Sequence, residues 1–178
     1  MIYLAAGHHN ADPGAVANGV QENNLTKELR DLIVMELRAK EASFILDKDT
    51  ETLAEYLKRI KPGSGSVVCE LHFNAAGPAA SGIEALTADN PTSASKMLAA
   101  DMAASGAVTM GIPNRGVKTE SESHRGKLGL MREPAGIIVL VEVCFITNIN
   151  DLHSYFANKQ QLAKAWADLL IKYDAKFT

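Results

Sequence analysis

Residues 136–144 read GIIVLVEVC, a short apolar run rich in β-branched side chains and opened by a glycine, which predicts a buried strand. Its single carboxylate, Glu142, stands near the carboxyl end. An ionised glutamate in so apolar a strand is costly unless a cation or a hydrogen-bond donor meets it. Working outward, residues 1–6, 43–47, 66–73 and 82–86 read as further strands. Helical periodicity fills the gaps, with Leu25, Leu29, Leu32, Ile33 and Leu37 on one face and Leu162, Trp166, Leu169, Leu170 and Tyr173 on another. Asn90 followed by Pro91 predicts the start of a helix reaching Val108, and Asn158 with Gln161 predicts a capping box for the last helix. This alternation predicts an α/β single-domain sandwich with a twisted, mostly parallel sheet and helices on both faces.

The chain has 178 residues, 47% hydrophobic and 22% charged, a composition that excludes disorder of the body of the chain. One domain, residues 1–178, and a monomer are expected, with neither repeats nor a long linker to mark a boundary. Its 18 basic against 21 acidic residues give a net charge of −3, so no basic field exists to attract nucleic acid or an anionic membrane surface. No apolar run approaches the ~20 residues of a membrane span. The first six residues, MIYLAA, lack a basic segment and run into a polar turn, so synthesis in the cytoplasm without a signal peptide is expected. Cys69 and Cys144, far apart inside apolar runs, are expected to be buried thiols.

In sheets of this kind ligands gather at the carboxyl ends of strands. The first strand ends in GHHNADPG, residues 7–14, and places His8 there; the strand from Ser66 ends in ELHFN, residues 70–74, and places His72 there. Period-2 alternation puts Glu70 and His72 on one face and Cys69 and Leu71 on the other. Glu22, before the first helix, adds a carboxylate beside the same strand end. Two histidines and a carboxylate suit a catalytic zinc site with the fourth position open to water, and a further acidic group nearby can act on that water. The dispersed ligands leave a second reading open, in which His8 caps a turn, His72 is a satisfied core histidine and Glu142 pairs with an arginine.

The ordered blocks AGHHNADPGA, GVQENNL, ELHFNA, GIEAL, NRGVK and VLVEVCFITNINDL resemble the zinc-dependent N-acetylmuramoyl-L-alanine amidases of the Amidase_3 type, from Ile2 to about Ala167. The resemblance implies one zinc ion held by His8, Glu22 and His72, with Glu142 as the catalytic glutamate. It implies hydrolysis of the amide between N-acetylmuramic acid and L-alanine in peptidoglycan. There zinc lowers the pKa of a water to ~7 and polarises the carbonyl, while Glu142 takes the proton and returns it to the leaving nitrogen. Asn74, Arg115 and Lys118 are candidate substrate-binding residues, with a turn-forming role for Asn74 and a loop-anchoring role for Arg115 as alternatives. His9, His124 and His153 read as surface or turn residues.

Four positions depart from the family pattern. His9 replaces a common glycine, Glu70 a frequent serine and Cys144 a usual glycine, and Leu46-Asp47-Lys48 lacks an arginine many relatives have. Alternation places Glu70 with His72, and Cys144 with Glu142. The connection from Glu84 to Arg115 has room for one helix, so the autoinhibitory helix of some relatives is not expected and the site should be open. The chain is expected to carry no wall-binding repeat of its own. Two origins fit, a phage endolysin or the catalytic domain of a longer secreted autolysin, and the missing signal favours the first. The competing functions are a non-catalytic peptidoglycan-binding module, expected to have lost a ligand or Glu142, and another zinc peptidase cutting within the stem peptide. A purely structural protein would leave Glu142 unexplained.

Overall fold

The computed structural model describes residues 1–123, 126–133 and 135–177. In chain order the elements are β1 (Ile2–Ala6), β2 (Val16–Ala17), β3 (Val20–Gln21), α1 (Glu22–Ala39), β4 (Phe44–Leu46), α2 (Leu53–Arg59), β5 (Val67–Asn74), β6 (Ile83–Thr87), α3 (Ser93–Met110), β7 (Asn114–Thr119), β8 (Ile137–Phe145) and α4 (Ile149–Phe177). Six strands form one sheet in the order β4-β1-β5-β8-β6-β7. β4, β1, β5 and β8 run parallel, whereas β6 lies antiparallel to β8 and parallel to β7. The sheet is thus mostly parallel, as the alternation of apolar strands and helices predicts. The reversed pair brings the amino ends of β6 and β7 beside the carboxyl ends of β5 and β8.

The two faces are covered unequally. α1, α3 and α4 bury one face around Leu29, Ile33, Leu71, Val141, Leu162 and Trp166. On the other face a thinner layer, Tyr56 and Ile60 of the α2 region with Leu128, Leu130 and Met131, packs on Tyr3, Val68, Leu86 and Leu140. Helices on both faces therefore means three long ones on one side and a seven-residue helix with 3-10 turns on the other. Polar strand residues face this thin layer, and the candidate site opens there.

Three local expectations are corrected. α3 starts after Thr92, whose side chain accepts from the Ser95 N–H at 3.0 Å, so the hydroxyl two residues past Asn90 is the cap. α4 begins at Ile149, with Asn148 Oδ1 accepting from the N–H groups of Asn150 and Asp151 at 3.0 and 3.2 Å. Asn158 is therefore inside the helix, where its amide donates to the Ser154 carbonyl one turn back at 2.9 Å. The register between β5 and β8 runs His72 to Glu142 but then Asn74 to Phe145. The extra residue in β8 breaks the alternation. Cys144 joins the core on the helical face, together with Val143, and Phe145 takes the position on the face of Glu142.

Candidate metal centre and adjoining pocket

His8 lies just past β1, Glu22 is the first residue of α1, and His72 is near the end of β5. The hairpin β2–β3, closed by Asn18-Gly19 with positive φ at both residues, returns the chain so that α1 starts beside the end of β1. Glu22 is fully buried and held from two sides. Its Oε2 accepts from the Ala15 N–H at 2.9 Å, and its Oε1 accepts from the Phe73 N–H at 3.0 Å. A carboxylate in the first helical turn also faces the positive end of the helix dipole.

These three side chains converge. One ligand atom from each of His8, Glu22 and His72 can be chosen so that all lie within 4.8 Å of one another. His8 Nε2 is 3.1 Å from Glu22 Oε2, and His72 Nδ1 is 2.9 Å from Glu22 Oε1. The rings meet edge to face with centroids 5.1 Å apart. His8 Nε2 is buried and, despite its proximity to Glu22, makes no hydrogen bond of acceptable geometry. His8 sits at φ 68°, a left-handed conformation costing a non-glycine residue about 1–3 kcal/mol and typical of functional sites. Gly14, at φ 65°, packs so closely that an added Cβ would lie 2.6 Å from Glu22 Oε2 and 2.7 Å from His8 Nε2.

Burial opposes charge on all three groups, and their mutual contacts overcome it. The His72 imidazole is penalised by burial, but its hydrogen bond with Glu22 and the neighbouring Glu70 carry its pKa up to about 10. Burial likewise disfavours the Glu22 carboxylate, yet its hydrogen bond with His72 and the nearby His8 ring hold it far below the usual range. The cluster is a socket that sets two imidazoles against one buried carboxylate. Two nitrogens and a carboxylate oxygen form the donor set of catalytic zinc sites, so the residues present fit zinc. The socket also has an outer partner that the sequence reading missed. Asp12 Oδ2 lies 2.8 Å from His8 Nδ1, the carboxylate–histidine arrangement that orients metal ligands. Its four-residue spacing from His8 in the turn was the available signal.

Glu142 is 5% exposed and directly opposite His72 in the β5–β8 register; on its other side it is opposite Glu84 of β6. His72, Glu142 and Glu84 therefore form one row across three strands, with neighbours ~4.8 Å apart in the hydrogen-bonding direction. A cavity of about 200 Å³ on one side of the row is lined by His8, Asp12, Glu70 and His72. A second of about 200 Å³ is lined by Asn74, Glu84, Arg115, Lys118, Glu142 and Phe145.

The three candidate substrate-binding residues meet at Glu84. Arg115 Nε and Lys118 Nζ both donate to Glu84 Oε2, at 2.6 and 2.7 Å, and Asn74 Nδ2 donates to Glu84 Oε1 at 3.1 Å. The Arg115 guanidinium also lies 5.0 Å from the Phe145 ring centroid. Asn74 additionally accepts from the Ala75 N–H at 2.9 Å, so part of its role is to shape the turn. Glu84, buried at the centre, was missed as a site residue. Its sequence neighbours Ile83 and Ala85 read only as strand, and the pairing that exposes its role joins residues more than 30 apart.

Of the other histidines, His9 accepts from the Ala11 N–H inside its turn, His153 is exposed, and His124 lies outside the described residues. Cys69 and Cys144 are buried free thiols whose pKa values burial pushes up. No described helix is long and apolar enough to cross a membrane.

A mostly parallel α/β sheet thus carries a His–Glu–His socket at its carboxyl edge and a glutamate on the next strand, an arrangement suited to metal-dependent hydrolysis. The chain belongs to the N-acetylmuramoyl-L-alanine amidase family, whose model matches residues 2–172. It is 27% identical over 154 residues to the uncharacterized protein YqiI of Bacillus subtilis (strain 168), covering 84% of this chain and 72% of that one. It is 26% identical over 155 residues to the N-acetylmuramoyl-L-alanine amidase LytC of the same organism, covering 84% of this chain and 30% of LytC. The catalytic domain of CwlV, an N-acetylmuramoyl-L-alanine amidase from Bacillus (Paenibacillus) polymyxa var. colistinus, superposes with a TM-score of 0.81 at 23% identity, covering 99% of this chain and 98% of that one; at that identity the likeness is one of fold. As a member of the family the chain is an amidase acting on bacterial peptidoglycan.

Proposed function

We propose that this amidase works with one zinc ion held by His8, Glu22 and His72, and that Glu142 moves the proton in cleaving the bond between N-acetylmuramic acid and L-alanine. The observation that carries the reading is the convergence of three ligand atoms within 4.8 Å around a buried His8 Nε2 that lacks a hydrogen bond. Bound there, zinc supplies a water with a pKa of ~7 and polarises the scissile carbonyl. Glu142, one strand away from His72, takes a proton from the attacking water and returns it to the leaving alanine nitrogen. Arg115 and Lys118, held by Glu84, receive an anionic group of the stem peptide in the cavity they share with Glu142. Among the described residues α3 is the only helix between β6 and β7, and it packs on the opposite face of the sheet, which supports a site open without an activator. A monomeric lysin of endolysin or autolysin type is the corresponding cellular role.

The test is Glu142→Gln in metal-replete protein on purified peptidoglycan, with released amino termini identified. Loss of ~10²–10⁴-fold in turnover with zinc content unchanged is expected, the range for a positioned acid–base group. Unchanged turnover would remove Glu142 from the mechanism. Release of internal stem-peptide amino termini in place of L-alanine would identify a peptidase, and bound zinc without any cleavage a binding module.

A further inference from the structure

The metal socket has a second carboxylate behind it, on the side away from Asp12. Glu70, two residues before His72 on the same face of β5, is 4% exposed and faces His72 Nε2 at 3.6 Å. That separation lies just beyond a hydrogen bond. Each histidine is thereby bracketed in the same way. His8 turns Nε2 to Glu22 and Nδ1 to Asp12, and His72 turns Nδ1 to Glu22 and Nε2 to Glu70.

Building on the zinc reading above, we propose that Glu70 is a positioning residue that tightens the metal site from behind His72, complementing Asp12 behind His8. A carboxylate on the outer nitrogen of a ligating imidazole fixes its tautomer and orientation and makes the inner nitrogen a stronger donor. The two partners differ in screening. The Asp12 side chain is 50% exposed, whereas that of Glu70 is 5% exposed. Solvent screens the first far more than the second, so Glu70 is the better shielded of the two outer partners. Its position supports this role over an incidental one. A strand residue buried beside Leu140 carries a charge only where a partner stabilises it, and among the described residues the close polar contact of Glu70 is His72. Glu70 stays outside the ligand set itself, which comprises His8, Glu22 and His72.

The experiment is zinc affinity, measured by competition with a chromophoric chelator, on wild type, Glu70→Gln, Glu70→Ser and Glu70→Asp, with circular dichroism of the metal-free proteins to confirm folding. Loss of an outer partner typically costs ~10–100-fold in metal affinity, and that loss is expected for the Gln and Ser variants, with part of it recovered in Glu70→Asp. The visible absorption bands of the cobalt-substituted Gln variant should shift from those of wild type, a change that a purely structural role would not produce. Folded Gln and Ser variants that hold zinc as tightly as wild type would overturn the proposal. His8→Ala separates this failure from that of the parent reading. If His8→Ala loses zinc while both neutral Glu70 variants keep it, only the role of Glu70 falls; if wild type takes up no zinc, or His8→Ala keeps it, the site and the role of Glu70 fall together.

Discussion

Gly14→Ala and Gly19→Ala impose the same backbone demand in opposite surroundings. Both glycines have left-handed φ, 65° and 77°, where a Cβ costs about 1–2 kcal/mol. At Gly19 the new Cβ meets nothing within 4 Å. At Gly14 it would fall 2.6 Å from Glu22 Oε2 and 2.6 Å from His8 Cδ2, whereas ordinary contact begins at 3.4 Å. Both ligands must retreat, and Glu22 is fixed by the N–H groups of Ala15 and Phe73. Gly19→Ala should therefore lower the melting temperature by about 2–8 °C, at ~2–4 °C per kcal/mol for a chain of this size, and leave metal and activity intact. Gly14→Ala should add a loss of metal affinity, and a displacement approaching 1 Å at a catalytic centre costs ~10²-fold in rate. The assays are thermal unfolding in chelator, chelator competition with zinc, and peptidoglycan digestion. Wild-type zinc affinity and turnover in Gly14→Ala would refute the placement of the site, as would an equal loss of zinc in Gly19→Ala.

Glu84→Gln should raise KM with little change in kcat, because it frees Arg115 and Lys118 from their common anchor but leaves Glu142 in place; Michaelis kinetics on soluble muropeptides checks the split. The same substitution bears on acid stability. Burial disfavours the Glu84 carboxylate, but Arg115 and Lys118 outweigh it, and its folded pKa lies below the ordinary 4.5. The ionised form is thus favoured by folding: its stabilisation is complete above about pH 4.5 and is lost as pH falls through the folded value. Denaturant titrations from neutral to acidic pH should show a shallower decline in Glu84→Gln than in wild type. Leu29→Ala, at a fully buried position of α1, should cost about 2–5 kcal/mol without altering zinc affinity at temperatures below unfolding, as calorimetry and chelator competition would show.

The strands at residues 2–6, 44–46, 67–74, 83–87 and 137–145 were legible because each is a short apolar run between polar turns. β7 was not: NRGVKT has one apolar residue, and it is an edge strand whose partner β6 supplies the burial. α2 was missed because only Tyr56 of its seven residues is buried. The start of α4 was hidden by its polar first turns, where Leu152 and Tyr155 are the buried apolar residues before residue 158. The metal socket was legible from residue type and strand end. Alternation also sets Glu70 on the face of His72, whereas Asp12 beside His8 and Glu84 beneath Arg115 and Lys118 depend on contacts across a turn and between strands. The bulge that turns Cys144 inward is a register event between two strands, which period-2 reading of a single strand does not contain.

β8 is hydrogen-bonded on both edges, to β5 and to β6, with the edge strands β4 and β7 lying farther out. Fraying can release amide protons from those edges while the centre stays closed; residues 140–142 have a partner strand on both flanks, and their amides exchange with solvent deuterium only when the sheet as a whole comes apart. The backbone that carries Glu142 thus belongs to the slowest-exchanging part of the domain, and the carboxylate is carried on the segment least able to open locally.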